Sequence, residues 1–290
     1  MKAPPFEWHR PASLADAVAI LADVAPRDGR ILAGGQSLLP AMALRVARPP
    51  HLVDINGIPE LAALDPGGGT LRIGATVRHA AFHAAAAPGP LGALMATVVR
   101  HIAHWPIRNR GTFCGSLCHA DPASEWALAA VVLGGEMAIL SLRGARHMPA
   151  AGFLRGPLET ALAADEMLTG VTLSLLPPDA RFGFEEVARR AGDFAQAMAL
   201  AVLRLDAHGL IAEPRIGVGG VEAVPRRLSD VEALVVGKAP SAALFAEAGK
   251  AAAAMIDPME DASYRRTLVR AVVARALGRA AAMAPEARAA

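Results

Sequence analysis

Residues 108–126 read RNRGTFCGSLCHADPASEW, and the reading of this stretch decides the fold. It opens on a Gly-containing turn, runs through small residues and closes in an acidic turn around Pro122. Gly111 and Gly115 let backbone come close to something bulky. Thr112 and Ser116 add hydroxyls and backbone N–H groups. Such a donor-rich, low-bulk run suits a phosphate. A tight turn with no ligand would use the same residues, so the stretch acquires meaning only beside a second one.

That second stretch is residues 31–40, ILAGGQSLLP. Ile31 and Leu32 read as the end of a buried strand. Ala33, Gly34 and Gly35 form a loop, and Gln36 and Ser37 open a helix that runs through Met42 and Leu44. Strand, Gly loop and helix N-terminus make an anion site by geometry. The G-x-G-x-x-G fingerprint is absent, so a Rossmann fold is not indicated, and no Gly-Lys-Ser/Thr follows to make a P-loop. Two separate diphosphate-type loops point to one large dinucleotide held from two sides.

Together the loops resemble the FAD-binding medium subunit of molybdenum hydroxylases, the carbon monoxide dehydrogenase and xanthine dehydrogenase flavoprotein family. AGGQSLLP is close to that family's AGG-x-SL, and GTFCGSLCHADP to its T-I-G-G-S-x-x-H-A-D-P. The flanking segments LVDINGIPEL, LRIGATVRHA and RRAGDFAQA fit as well, so the resemblance covers nearly the whole chain. It implies an α+β fold: a two-part, PCMH-like FAD-binding domain over 1–176, with lobes of about 1–56 and 57–176, then a smaller C-terminal domain over 179–290. It implies FAD in this chain, and a molybdopterin cofactor and two [2Fe–2S] clusters in a large and a small partner subunit, assembled as a dimer of heterotrimers.

The cofactor contacts implied are Ala33, Gly34, Gly35, Gln36, Ser37 and Leu38 from the first loop, and Thr112, Cys114, Gly115 and Ser116 from the second. Ile102, Leu168 and Phe194 would abut the flavin, with Phe194 in a turn resembling the family's R-x-G-D-aromatic-A. The chain departs from the family at Phe113-Cys114-Gly115, where Ile-Gly-Gly is usual. It departs again at Ala123-Ser124-Glu125, where Ala-Ala-Asp is usual. Glu125 keeps the family's acidic character with a longer side chain. Asp121 is the nearer acid and is also placed to cap the following helix. No catalytic side chain is expected, because flavin performs the electron chemistry.

Composition bounds these expectations. The chain of 290 residues is long enough for two domains, and its net charge of +2 is too small to argue for nucleic acid. Two cysteines, Cys114 and Cys118, make neither a disulfide framework nor an iron–sulfur centre, which needs about four thiolates. Any iron–sulfur centre must sit in another chain. Cys118 is expected to be a packed thiol. His101, His104 and His119 lack ligand spacing, so no metal site is expected. No uninterrupted apolar stretch of about 18 residues spans a membrane and no signal peptide is visible, so a cytoplasmic location is the default expectation.

Along the chain, Ser13 should cap a helix over 14–24, 51–55 should be a strand, and 65–70 should turn between two strands. Helices are expected over 77–87, 91–104 and 126–132, with Leu94, Val98 and Ile102 on one face of the second. Strands are expected over 136–142 and 166–175. Beyond Pro177-Pro178 the pattern changes to strands over 182–188, 197–206 and 211–218, then helices over 231–234, 239–255 and 264–283.

Two rival readings remain open: a free-standing flavin oxidase of the same fold, which lacks a candidate base, and a scaffold subunit that has lost FAD, motivated by Cys114. Carbon monoxide, purines and N-heteroaromatics all stay open as substrates of the complex.

Overall fold

A computed structural model of the chain describes residues 2–284 of the 290. Residues 285–290, the end of the expected C-terminal domain, lie outside the described residues.

The N-terminal lobe is a three-stranded parallel sheet in the order β1–β3–β2, formed by β1 (Glu7–His9), β2 (Arg30–Leu32) and β3 (His51–Asp54). Helix α1 (Leu14–Val24) starts where Ser13 accepts the Asp16 N–H, as expected, and buries Ala17, Val18, Leu21 and Val24. Helix α2 (Leu38–Ala43) follows the first Gly loop. β1 was not anticipated, because three residues carry too little pattern to show a period.

The second lobe rests on a five-stranded antiparallel sheet. β4 (Leu64–Gly67) and β5 (Thr70–Gly74) form one hairpin. Next come helices α3 (Gly89–Val98), α4 (Trp105–Arg108), α5 (Phe113–His119) and α6 (Glu125–Leu133). β6 (Glu136–Ser141) and β7 (Gly144–Pro149) form a second hairpin, followed by α7 (Ala150–Phe153), the short pair β8 (Leu154–Gly156) and β9 (Glu159–Thr160), and β10 (Met167–Ser174). The sheet order is β4–β5–β10–β6–β7. α6 is buried on every side and its ring of Trp126, Phe82 and Phe113 centres the core.

Two expected helices change shape. Over 77–87 only a single 3-10 segment, His79–His83, forms. The backbone before it is claimed by the second Gly stretch: Phe113 donates to the Val77 carbonyl at 3.1 Å and His79 to the Gly111 carbonyl at 2.9 Å. The helix expected over 91–104 begins at Gly89 and stops at Val98. Arg108 then donates to the carbonyls of Ile102 and Ala103 at 2.8 and 2.9 Å, holding 100–104 as a turn. Ile102 is buried, but in that turn rather than on the helix.

The C-terminal part is a second antiparallel sheet, β11 (Arg181–Val187), β12 (Ala197–Leu205), β13 (Ile211–Gly219) and β14 (Arg226–Arg227), in chain order. Helices α8 (Ser229–Val235), α9 (Ala242–Met255) and α10 (Ala262–Ala282) cover one face. β12 alternates strictly. Ala197, Ala199, Ala201 and Leu203 face those helices, whereas Met198, Leu200 and Val202 join the core of the second lobe. The sheet is therefore a shared wall between two hydrophobic cores.

Candidate functional site

The first Gly loop leaves β2 and turns into α2. Gly35 takes φ +70°, a left-handed conformation that favours glycine. Leu39 makes the first helical bond, to the Gly35 carbonyl at 3.0 Å. The N–H groups of Gln36, Ser37 and Leu38 precede that ladder and are the donors a helix start leaves over. The Gln36 side chain folds back to the Gly34 carbonyl at 3.0 Å and braces the loop.

Tertiary structure brings the second stretch directly against the first. A Cβ on Gly34 would lie 2.5 Å from the Arg110 carbonyl oxygen and 2.6 Å from the Gly111 Cα. The junction is tied by two residues the sequence reading did not single out. Asn56 donates to the Ala33 carbonyl at 2.8 Å, and Arg78 donates to Asn56 Oδ1 at 2.6 Å and to the Arg110 carbonyl. Both stand in segments that carry the family resemblance, LVDINGIPEL and LRIGATVRHA, and that position was the only signal. Beside the junction lies an open cleft of about 330 Å³ lined by Asn56, Leu64, Thr76 and Arg78, among others. Thr76 lines this cleft, and its buried hydroxyl lacks a partner among the described residues.

The second stretch does not present its donors as expected. Residues 113–119 form α5, with Thr112 as N-cap, so the Thr112 hydroxyl accepts the Gly115 N–H at 3.0 Å. The N–H groups of Phe113 and Ser116 are also engaged, with Val77 and Thr112 carbonyls. A backbone cradle over 112–116 is therefore reduced to the N–H groups of Thr112 and Cys114. Gly115 is glycine because a Cβ there would sit 2.6 Å from the Thr112 hydroxyl. The Cys114 side chain is buried and points back at the Ile73 and Gly74 carbonyls, 3.8 Å away. Cys118 as a residue is exposed on α5, while its thiol is crowded enough by neighbouring atoms that desolvation pushes it up to about 12.

Beyond α5 lies the acidic turn. Asp121 accepts the Ala123 N–H at 2.8 Å and is not the helix cap; Ser124 caps α6 and its hydroxyl meets that of Ser116 at 2.9 Å. Gly220 donates to the Pro122 carbonyl at 2.9 Å, so the C-terminal sheet docks on this turn. It docks again at 103–104, where a Cβ on Gly192 would lie 2.5 Å from the His104 ring. Phe194, in the same turn as Gly192, is 74% exposed and covers no core; its aromatic face is open. Leu168 is buried in β10 beside a register shift against β6. The expected contacts thus divide into a joined loop pair, an acidic turn one α5 length away, and separate apolar positions.

Comparison with known proteins decides what this arrangement belongs to. The family model described as the FAD binding domain in molybdopterin dehydrogenase matches residues 4–175, and that of the CO dehydrogenase flavoprotein C-terminal domain matches residues 182–280. The chain belongs to this flavoprotein family. It is 38% identical over 281 residues to the nicotine 6-hydroxylase medium subunit of Paenarthrobacter nicotinovorans, covering 96% of this chain and 98% of that one. It is 36% identical to the caffeine dehydrogenase subunit beta of Pseudomonas sp. strain CBB1, covering 97% and 96%. Among solved structures, quinoline 2-oxidoreductase from Pseudomonas putida 86 superposes with a TM-score of 0.89 at 36% identity, covering 97% of this chain and 98% of that one. Carbon monoxide dehydrogenase from Hydrogenophaga pseudoflava superposes at 0.90 with 33% identity, over 97% and 98%. The chain is an FAD-binding flavoprotein subunit of the molybdenum hydroxylases.

In this medium subunit two carboxylates are buried where the acidic turn meets the C-terminal sheet. Burial pushes Glu125 up to about 7, with Asp121 adding to the rise against a backbone hydrogen bond that lowers it. Burial, then Glu125, pushes Glu186 up to about 8, and its Oε2 has no partner among the described residues. A carboxyl whose folded pKa is raised holds its proton longer than in the unfolded chain. Its stabilising contribution is complete below the unfolded value, near pH 4.5, and is lost as pH rises toward 8. Glu186→Gln should therefore leave stability nearly unchanged near pH 4.5 and raise it at pH 8.5 by up to about 5 kcal/mol. Thermal unfolding of the two chains at both pH values checks this; an equal shift at both would refute the assignment.

Proposed function

We propose that this chain is the electron-transfer subunit of a multi-subunit molybdenum hydroxylase. It takes electrons from [2Fe–2S] clusters of a small partner subunit, which receive them from a large molybdopterin subunit, and passes them to an external acceptor. The observation that carries the reading is the joined loop pair, 33–37 against 110–111, inside a family whose matching model is named for FAD. FAD, when bound, supplies the capacity to accept and release electrons.

The chain's residues hold the cofactor rather than react. The N–H groups at 36–38 offer donors to the diphosphate, and the Arg78 guanidinium places a positive charge at the junction while fixing both loops. Ile102 and Leu168 offer apolar surface to the flavin, Phe194 an exposed ring, and Glu125 a carboxyl beside the sugar chain. Residues 1–176 would form the binding domain and 179–290 a domain that closes over it. The pair of partner subunits is proposed on the same ground, with a dimer of heterotrimers as the assembly. With two cysteines in all, one buried, the chain has no ligand set for a cluster of its own. No helix among the described residues is long and apolar enough to cross a membrane, and a cytoplasmic location is proposed.

The test is redox separation. The isolated chain should bind FAD and be reduced by dithionite, yet its flavin should not be reduced by the organic substrate that reduces it in the intact complex. Substrate-dependent bleaching of the flavin in the single chain would overturn the reading and favour a free-standing oxidase.

A further inference from the structure

The edge of the N-terminal sheet carries a cluster that the flavin does not explain. In β1, Glu7 and His9 point to one face by the two-residue period of a strand. Parallel pairing sets Glu7 opposite His51 at the start of β3, which places His51 on that same face. Three potential ligands, Glu7 and His9 on one strand and His51 more than 40 residues away on another, therefore converge through register alone.

Their atoms meet closely. His9 Nε2 lies 3.2 Å from His51 Nδ1, His51 Nδ1 lies 3.3 Å from one Glu7 carboxylate oxygen, and His9 Nε2 lies 3.9 Å from the other. Among the described residues this is the only such group of three or more histidine, cysteine or acidic side chains. Protons alone satisfy it poorly. If His51 Nδ1 carries a proton and gives it to Glu7, the His9 nitrogen has no hydrogen left to receive. If His9 donates to His51 instead, the bare His51 nitrogen faces carboxylate lone pairs. If both nitrogens are protonated toward Glu7, two N–H groups oppose each other. One cation at the centre would satisfy all three contacts together.

The dimensions fit such an ion. Ligands about 2.0–2.1 Å from a tetrahedral zinc stand roughly 3.3–3.4 Å apart, which two of the three observed separations approach and the third needs a small carboxylate rotation to match. Two imidazoles and one carboxylate suit a borderline divalent transition metal, whereas calcium and magnesium prefer all-oxygen sites. The imidazoles are sheltered, with side chains 19% and 11% exposed, and Glu7 is 66% exposed, so the face is preorganised yet open to an ion.

We propose that Glu7, His9 and His51 form a binding site for one divalent transition-metal ion of the zinc class. The ion is held by His9 Nε2, His51 Nδ1 and one Glu7 oxygen, with water completing its coordination. On binding it displaces whatever proton the two ring nitrogens share, which passes to solvent, and no electron is exchanged. It clips β1, a three-residue edge strand, to β3. The site stands independently of the flavin assignment.

The test uses the full chain, FAD-loaded and freed of metal with a chelator, titrated with zinc chloride by calorimetry. One ion per chain should bind, raising the thermal unfolding temperature, while calcium and magnesium chloride leave it unmoved. Cobalt chloride should produce visible d–d absorption from an imidazole-and-carboxylate site. His9→Gln/His51→Gln should weaken zinc by more than about 100-fold with FAD content unchanged, since even indirect support of a ligand is worth about 10–100-fold. Should that double variant lose its flavin and fold, the exposed Glu7→Gln decides instead, with an expected loss of about tenfold. No stoichiometric binding by the unaltered chain, or undiminished zinc affinity in the folded variants, would overturn the proposal.

Discussion

Gly34→Val should give a folded chain that retains little FAD. The position is tight for a specific reason: any Cβ there meets backbone, the Arg110 carbonyl oxygen at 2.5 Å and the Gly111 Cα at 2.6 Å. Backbone cannot swing aside as a side chain can, so the two loops must separate. Separation also strains the ties from Arg78 to Arg110 and from Asn56 to Ala33. The loss falls on a local junction, and no residue of either hydrophobic core is replaced. An affinity loss of at least about tenfold is expected, because moving one side of a two-sided anion site costs more than about 1.4 kcal/mol. Gly34→Ala should already show most of it, since the first added carbon makes the clash. Flavin absorbance per chain and FAD titration of the apoprotein measure the effect, with far-ultraviolet circular dichroism as the fold control. A folded Gly34→Val chain with a full flavin complement and unchanged affinity would sink the idea that the joined loops form the diphosphate site.

Trp126→Ala should destabilise the chain more than any surface change. Trp126 is fully buried, with its ring centred 5.0 Å from Phe82 and 5.0 Å from Phe113. Its indole N–H donates to His79 Nδ1 at 2.9 Å. Burial, then Arg108 and Arg78, pushes the His79 pKa down to about 4, so the ring is neutral at pH 7 and its Nδ1 is free to accept. Removing the indole opens a cavity and leaves that acceptor buried and unpaired. Together these cost about 4 kcal/mol, a large part of the stability of an ordinary domain. The unfolding temperature should fall by on the order of 10 °C. Trp126→Phe separates the two causes, since it keeps most of the volume and loses only the donor. If Trp126→Ala and Trp126→Phe unfold at the same temperature as the unaltered chain, this ring is not the keystone of the second lobe.

Much of this protein was legible in its sequence by itself. Local signals place Ser13 ahead of α1, the Gly loop between β2 and α2, the Gly-rich hairpin at 65–70, the fully apolar α6 and the long C-terminal helices. Each depends on residues within about one turn of one another, where capping and periodicity act directly. The two loops and their order were enough to indicate an FAD-binding flavoprotein subunit, and the family match bears that out. Only the tertiary structure decided the rest. It made Thr112 the cap of α5 and left Phe194 open. It stopped the helix expected over 77–87, because that backbone pairs with residues 111–113 across some 30 positions of chain. It recruited Asn56 and Arg78 to lock the loops together, and it gathered Glu7, His9 and His51 on one strand face. These outcomes depend on which distant segment supplies each hydrogen-bond partner, and a partner remote in the chain leaves no mark on the local pattern.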